Sequence, residues 1–126
     1  MAPTKKSKAL NILYVEDESV IRRNVQICLD HIFNVIVAEN GEEGLISFHK
    51  NNIDLIITDI NMPIKNGICM IEEIKKINPN IPCIVTTAYE LDVINSLLSS
   101  VDFCKYLKKP FDVKDLLDIT MNSLKV

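Results

Sequence analysis

Short apolar runs alternate with longer stretches in which apolar residues recur every three or four positions, from residue 11 to the end of the chain. A continuous apolar or β-branched run suits a strand covered on both faces. Recurrence at three and four suits a helix with one buried stripe. Residues 11–15 predict a first strand. Residues 19–32 predict a helix with Ile21, Val25, Cys28, Leu29 and Ile32 on its inner stripe, capped by Glu18 or Ser19. A β-branched run at 35–38 predicts a second strand. Asn40-Gly41 then punctuates the chain before a helix over 42–50, with Leu45, Ile46 and Phe48 as its apolar face. Gly44 costs that helix about 1 kcal/mol relative to alanine. Close approach to the sheet is the expected reason for it.

Residues 53–58 form an apolar run broken only by Asp54 and predict a third strand. A loop follows over 59–66, with Pro63 and the turn signal Asn66-Gly67. The helix predicted over 68–77 carries Ile71, Ile74 and Ile77 on one stripe and closes at Pro79. Pro82 opens a fourth strand over 83–86, an acceptable place for proline. A serine-rich helix over 90–100 and a short strand over 106–108 come next. Asp112 caps a last helix bearing Val113, Leu116, Leu117, Met121 and Leu124.

Strand-then-helix units in series pair their strands in parallel through right-handed crossovers. The predicted fold is therefore α/β: a doubly wound, five-stranded parallel sheet with helices on both faces. One domain accounts for residues 10–126, and a lysine-bearing tail over 1–9 is expected to be mobile. The chain stops at the fifth predicted helix, so no effector domain is expected within it.

Composition narrows the function. With 126 residues, 48% hydrophobic and 25% charged, the chain is an ordinary globular domain. A net charge of -3 argues against direct nucleic-acid binding. No apolar stretch approaches the ~20 residues of a membrane span. Glu16 and Asp17 cut short the first apolar run, so no signal-peptide core is present. Four cysteines, Cys28, Cys69, Cys83 and Cys104, sit among apolar neighbours without a C-x-x-C pair. They read as reduced thiols of a cytoplasmic protein, mostly small core hydrophobes.

Polar groups gather where the strands end. The first strand ends in Glu16 and Asp17, the third in Asp59, the fourth in Thr86 and Thr87, and the fifth in Lys109. In a doubly wound sheet these ends share one rim, near the point where strand order reverses. Carboxylates crowded there repel and need a cation, and Mg²⁺ suits their hard oxygens. Mn²⁺ or another divalent ion would serve similarly. Carboxylates, metal and lysine together seat a phosphoryl group, and one carboxylate can act as nucleophile to give an acyl phosphate. Each residue alone also has an ordinary structural reading: a helix cap for Glu16 or Asp17, a turn for Asp59, a strand end for Thr87, a solvated lysine for Lys109, a core or edge aromatic for Tyr106.

Tyr-Val-Glu-Asp-Glu at 14–18, Ile-Thr-Asp-Ile-Asn-Met-Pro at 57–63, Asn66-Gly67, Thr87-Ala88, and Tyr106 followed by Lys109-Pro110-Phe111 resemble the response-regulator receiver family of two-component systems. The resemblance implies a flavodoxin-like strand order 2-1-3-4-5. It makes Asp59 the phospho-acceptor, with Mg²⁺ held by Glu16, Asp17, Asp59 and the backbone carbonyl of Asn61. It gives Lys109 and Thr87 contacts to phosphoryl oxygens, makes the Lys109-Pro110 bond cis, and casts Thr87 and Tyr106 as the switch. Asn61, Ala88 and Tyr89 would flank the phosphoryl group, with the Tyr89 ring shielding it from water.

The partners implied are a sensor histidine kinase or phosphotransfer protein, and a downstream partner at the face made by the fourth helix, fifth strand and fifth helix. The chain would be a monomer or a phosphorylation-dependent dimer. Its sequence departs from the family's small Ala-Gly pair before the fifth strand, where Ser99, Ser100, Val101, Asp102 and Phe103 stand. The protein is expected to be a signalling switch with slow self-dephosphorylation and no other turnover. A Mg²⁺-dependent phosphatase would need an acid where Asn61 stands. A flavin-binding relative would need a phosphate loop where Glu16, Asp17 and Glu18 stand. An interaction module that takes no phosphate stays as the remaining alternative.

Overall fold

The computed structural model describes residues 10–90 and 104–124. The expected tail over 1–9, the serine-rich helix over 90–100 from its second residue on, and the departure at 99–103 lie outside them. The described elements are β1 (Asn11–Val15), α1 (Ser19–Asp30), β2 (Asn34–Ala38), α2 (Gly41–Lys50), β3 (Leu55–Asp59), α3 (Gly67–Ile77), β4 (Cys83–Thr87), β5 (Cys104–Lys108) and α4 (Val113–Leu124). The strands form one parallel sheet in the order β2-β1-β3-β4-β5. This is the expected doubly wound, flavodoxin-like arrangement.

Alternate residues of the central strands feed two cores. Leu13, Val15, Ile56 and Val85 meet Met70, Ile71 and Ile74 of α3 on one side. Ile12, Tyr14, Ile57 and Ile84 meet Val25 and Leu29 of α1 and Leu116 of α4 on the other. β1, β3 and β4 are buried on both faces, which is why they read as near-continuous apolar runs.

The helix starts refine the sequence reading. Asn40 and Asn66 are N-caps, and their side chains accept hydrogen bonds from the Glu43 and Cys69 backbone N–H groups at 2.9 and 2.8 Å. Each Asn-Gly pair therefore begins a helix. Glu18 occupies the N-cap of α1, but its side chain makes no cap bond. Gly44 does allow close approach: a Cβ there would lie 2.5 Å from Met70 Sδ and 3.1 Å from Val15 Cγ2.

Other expectations are corrected. β3 starts at Leu55, because Asp54 turns its carboxylate to the Asn11 backbone N–H at 2.7 Å. Cys28, Ile46 and Ile77 are exposed, while Met70 supplies buried volume in α3 that the Ile71–Ile74–Ile77 stripe did not name. The four cysteines are not all free thiols. Cys83 and Cys104 form a disulfide, and Cys28 and Cys69 are free and exposed. Register is the physical reason. Cys83 and Cys104 are paired positions on β4 and β5, with Cα atoms 5.0 Å apart, inside the range a disulfide spans.

Candidate functional site

The site is built where β1, β3, β4 and β5 stop. β1 delivers Glu16, whose backbone N–H donates to the Ala38 carbonyl at 3.0 Å and so continues the ladder with β2. The Glu16 carboxylate is fully buried, and its Oε2 accepts the Glu18 N–H at 3.2 Å. Asp17, one residue on, is exposed. β3 delivers Asp59, paired with Thr86 of β4. β5 delivers Lys109, whose backbone N–H donates to the Thr87 carbonyl at 2.6 Å. The Lys109-Pro110 bond is cis, as the resemblance implied.

These groups converge. Lys109 Nζ stands 3.0 Å from Glu16 Oε1 and 2.9 Å from Asp59 Oδ2. One carboxylate oxygen from each of Glu16, Asp17 and Asp59 lies within 4.8 Å of the others. The electrostatic consequences are coherent. Burial pushes the Glu16 carboxyl up, and the hydrogen bond from Lys109 only partly offsets this. Burial pulls Lys109 down, but the hydrogen bonds to Asp59 and Glu16 outweigh it and leave the ammonium raised. Nearby Tyr14 is raised by burial first and by the Glu16 and Asp59 charges next. One ammonium therefore pairs with two of the three clustered carboxylates, a donor set with charge to spare for a hard divalent cation.

Asp59 itself is held at both oxygens. Oδ1 accepts the Ile60 N–H at 2.7 Å, and Oδ2 accepts from Lys109. Its backbone is fixed by Gly67, where a Cβ would lie only 1.9 Å from the Asp59 carbonyl oxygen. The Gly67 N–H donates to the Ile60 carbonyl at 2.9 Å, so only glycine fits the start of α3 against the end of β3.

The remaining expected residues fall into two groups. Asn61 and Tyr89 reach across the rim, and the Asn61 amide donates to Tyr89 Oη at 2.6 Å. The Tyr89 backbone N–H in turn donates to Thr87 Oγ1 at 3.0 Å, and Thr87 is buried. Ala88 is exposed beside Lys109 and lines a cavity of about 420 Å³ between α1 and the start of α4. Tyr106 is set apart from the cluster. It lies half-buried on β5, opposite Val85, packed against the α3 side of the core.

The sequence reading missed Arg22. Its Nη1 donates to the Glu16 carbonyl at 2.8 Å and to the Asp17 carbonyl at 3.4 Å, tying the two acids' backbone to α1. Its only signal was its place in the first turn of the helix, where an arginine ordinarily reads as solvated.

A family model described as "Response regulator receiver domain" matches residues 12–121. The chain is 35% identical over 115 residues to "Probable transcriptional regulator ycf29" of Porphyra purpurea, a match covering 89% of this chain and 55% of that protein. It thus spans about half the length of that relative. Among solved structures, a response regulator receiver domain protein from Clostridium thermocellum is similar at 34% identity and TM-score 0.81, covering 92% of this chain and 94% of that one. The complex named CheX-CheY-BeF3-Mg+2 from Borrelia burgdorferi contains a similar chain at 28% identity and TM-score 0.76, covering 90% and 87%.

Proposed function

Because this chain belongs to the response regulator receiver domain family of two-component signalling, we propose that Asp59 is its phospho-acceptor, taking a phosphoryl group from the phosphohistidine of a sensor histidine kinase or phosphotransfer protein. The observation that carries this reading is the position of Lys109, whose ammonium bridges Asp59 and the buried Glu16 within 3.0 Å. A carboxylate oxygen of Asp59 attacks phosphorus. The O–P bond of an acyl phosphate forms as the N–P bond breaks, and the electron pair stays with the departing imidazole.

Lys109 orients the Asp59 carboxylate and then balances charge on the phosphoryl oxygens. Thr87 supplies a hydroxyl to those oxygens once it leaves the Tyr89 N–H. Glu16, Asp17, Asp59 and the Asn61 carbonyl would hold Mg²⁺, which supplies neutralising charge at the phosphoryl oxygens when bound. A relative whose name carries beryllofluoride and magnesium supports that chemistry. Movement of Thr87 toward the phosphoryl group frees space for Tyr106 to turn inward, and the altered β5 face changes its affinity for a downstream partner.

Asp59→Asn tests the assignment. Phosphate incorporation from a small phosphodonor with Mg²⁺ should fall a thousandfold or more, with far-UV circular dichroism unchanged. Hydroxylamine-sensitive phosphate retained by that variant would refute it. Tyr89 refines the picture. Its ring stands over the rim on the Asn61 bond and shields the acyl phosphate from water, so Tyr89→Ala should shorten the phosphoprotein half-life several-fold. An unchanged half-life discards that role.

A further inference from the structure

We propose that Cys83 and Cys104 are a reversible thiol–disulfide site, oxidised by low-molecular-weight disulfides of the glutathione type, and that the bond clamps β5 to β4 beneath Tyr106. Neither the acidic cluster nor the phosphoryl chemistry uses these residues.

Position makes the case. β5 is the edge strand of the described sheet and has β4 as its one neighbour. None of its five residues is buried. Its hold on the molecule therefore rests on one backbone ladder, on the partial packing of Tyr106 and Leu107 against the two cores, and on this bond. The two cysteines are register partners, brought together from 21 residues apart in sequence. The sheet thus presents the pair whether or not the bond is closed, which suits reversible chemistry.

Access is asymmetric. Cys83 is 2% exposed, whereas Cys104 is half-buried on the edge strand and is the sulfur that a small reagent reaches. Cys104 and Tyr106 lie two residues apart on one face of β5, and their partners Cys83 and Val85 lie on the same face of β4, which continues to Thr87. The clamp therefore sits at the foot of the column whose top carries the proposed switch residues.

The chemistry balances by exchange. The Cys104 thiolate attacks one sulfur of the small disulfide, forming a mixed disulfide and releasing one small thiolate, which takes the Cys104 proton. The Cys83 thiolate then attacks Cys104 Sγ and expels the second small thiol, which takes the Cys83 proton. Two protein S–H groups are oxidised to one S–S bond, and the small disulfide is reduced to two thiols. Closing the bond ties β5 to β4, so separation of the two strands is correspondingly rarer. Coupling between this site and the switch, though not the site itself, rests on the phosphoryl-accepting reading. Such coupling is reciprocal: phosphorylation must shift the thiol–disulfide balance by the same factor.

The full chain, equilibrated in glutathione buffers of increasing oxidised fraction, then acid-quenched and unfolded, tests this by maleimide labelling and peptide mapping. Labelling should fall from all four cysteines to Cys28 and Cys69 alone, reversibly. Four labelled cysteines at every ratio, or a pair that glutathione cannot reduce without denaturant, overturns the site. Amide exchange at Leu107 should be roughly a hundredfold faster in the reduced protein, and Cys104→Ser should match the reduced protein in every buffer. Coupling is read separately, from the beryllofluoride concentration that half-saturates the Mg²⁺ protein. A shift of threefold or more between redox states, absent in Cys104→Ser, supports it, and an unchanged midpoint overturns it. Failure of both redox forms to bind beryllofluoride would instead remove the phosphoryl reading, leaving the thiol counts to decide the site.

Discussion

At the N-terminal rim of the sheet, the Asn11 backbone N–H donates to Asp54 Oδ2, the Asn11 amide to the Asn52 carbonyl, and the Asn34 amide to Asn11 Oδ1, each at 2.7 Å. The Asp54 N–H returns a bond to the Asn11 carbonyl at 2.8 Å. One carboxylate there is met by a fixed backbone donor, and the rest of the network is neutral amide. At the C-terminal rim, three carboxylates cluster and one ammonium pairs with two of them. Both rims are polar ends of strands in the same sheet. The first closes its hydrogen bonds locally and ties β1 to β2 and β3. The second leaves charge in excess, at a cost in stability, and that excess is what can bind a cation and a phosphoryl group. Polarity at a strand end is thus uninformative by itself, whereas an unbalanced charge count is informative.

Substitution of the two aspartates should separate the rims most sharply. Asp54→Ala removes the acceptor for the Asn11 N–H and should cost about 1.5 kcal/mol of unfolding free energy, read from urea denaturation. Its rate of phosphorylation by a small donor should stay within a factor of two of wild type. Asp59→Asn should show the opposite profile. A phosphorylation defect in Asp54→Ala, with stability intact, would erase the distinction drawn between the rims.

Glu16 gives a smaller and pH-dependent effect. Burial raises its folded pKa above the ordinary value of 4.5, with Lys109 only partly compensating. A raised folded pKa favours the folded state most below the unfolded value, and that contribution is lost as pH rises through the folded value. The metal-free protein should therefore lose stability from this group as pH climbs above about 4.5. Glu16→Gln keeps the shape and removes the ionisation. Its melting temperature in chelator should depend less on pH across that interval, and Mg²⁺ should stabilise it less than wild type. Parallel pH profiles for the two proteins would show that Glu16 carries no burial penalty. Lys109 acts in a separate window: its raised pKa stabilises below the ordinary lysine value of 10.5 and is lost above it.

The acidic rim was readable from sequence because its residues follow short runs with strand character, mostly apolar in β1, β3 and β4. Glu16, Asp59, Thr87 and Lys109 could be placed at strand ends without knowing any distance. Asp54 was misread for the same reason, since it sits inside an apolar stretch and only the fold reveals that Asn11 claims it. The Cys83–Cys104 pair was not readable, because the register of β4 against β5 decides it and no local pattern encodes that register. Met70 was passed over in favour of Ile77, which lies at the end of α3 and is 57% exposed. Periodicity gives the angle of a helical residue, but not whether the sheet extends far enough to cover it.

The smallest predicted effect concerns Ile64, in the loop between Asp59 and α3. Its φ is 71°, and the Lys65 N–H donates to the Pro63 carbonyl at 2.8 Å across it, which makes a γ-turn of the strained, positive-φ form. A β-branched residue is poorly suited to that conformation. Its side chain is 80% exposed, so packing does not compensate. The strain has a local use: the turn sets the Lys65 carbonyl to accept the Gly41 N–H at 2.9 Å, which fastens the loop carrying Asn61 to α2. Ile64→Gly keeps the turn with a residue that takes positive φ without a Cβ clash, and should raise stability by about 0.5 kcal/mol. If that strain only holds the loop, phosphorylation of the variant proceeds unchanged. If it also poises the loop for the phosphoryl group, the same variant gains stability and loses rate, which places backbone strain beside charge excess as a second cost borne by the C-terminal rim alone.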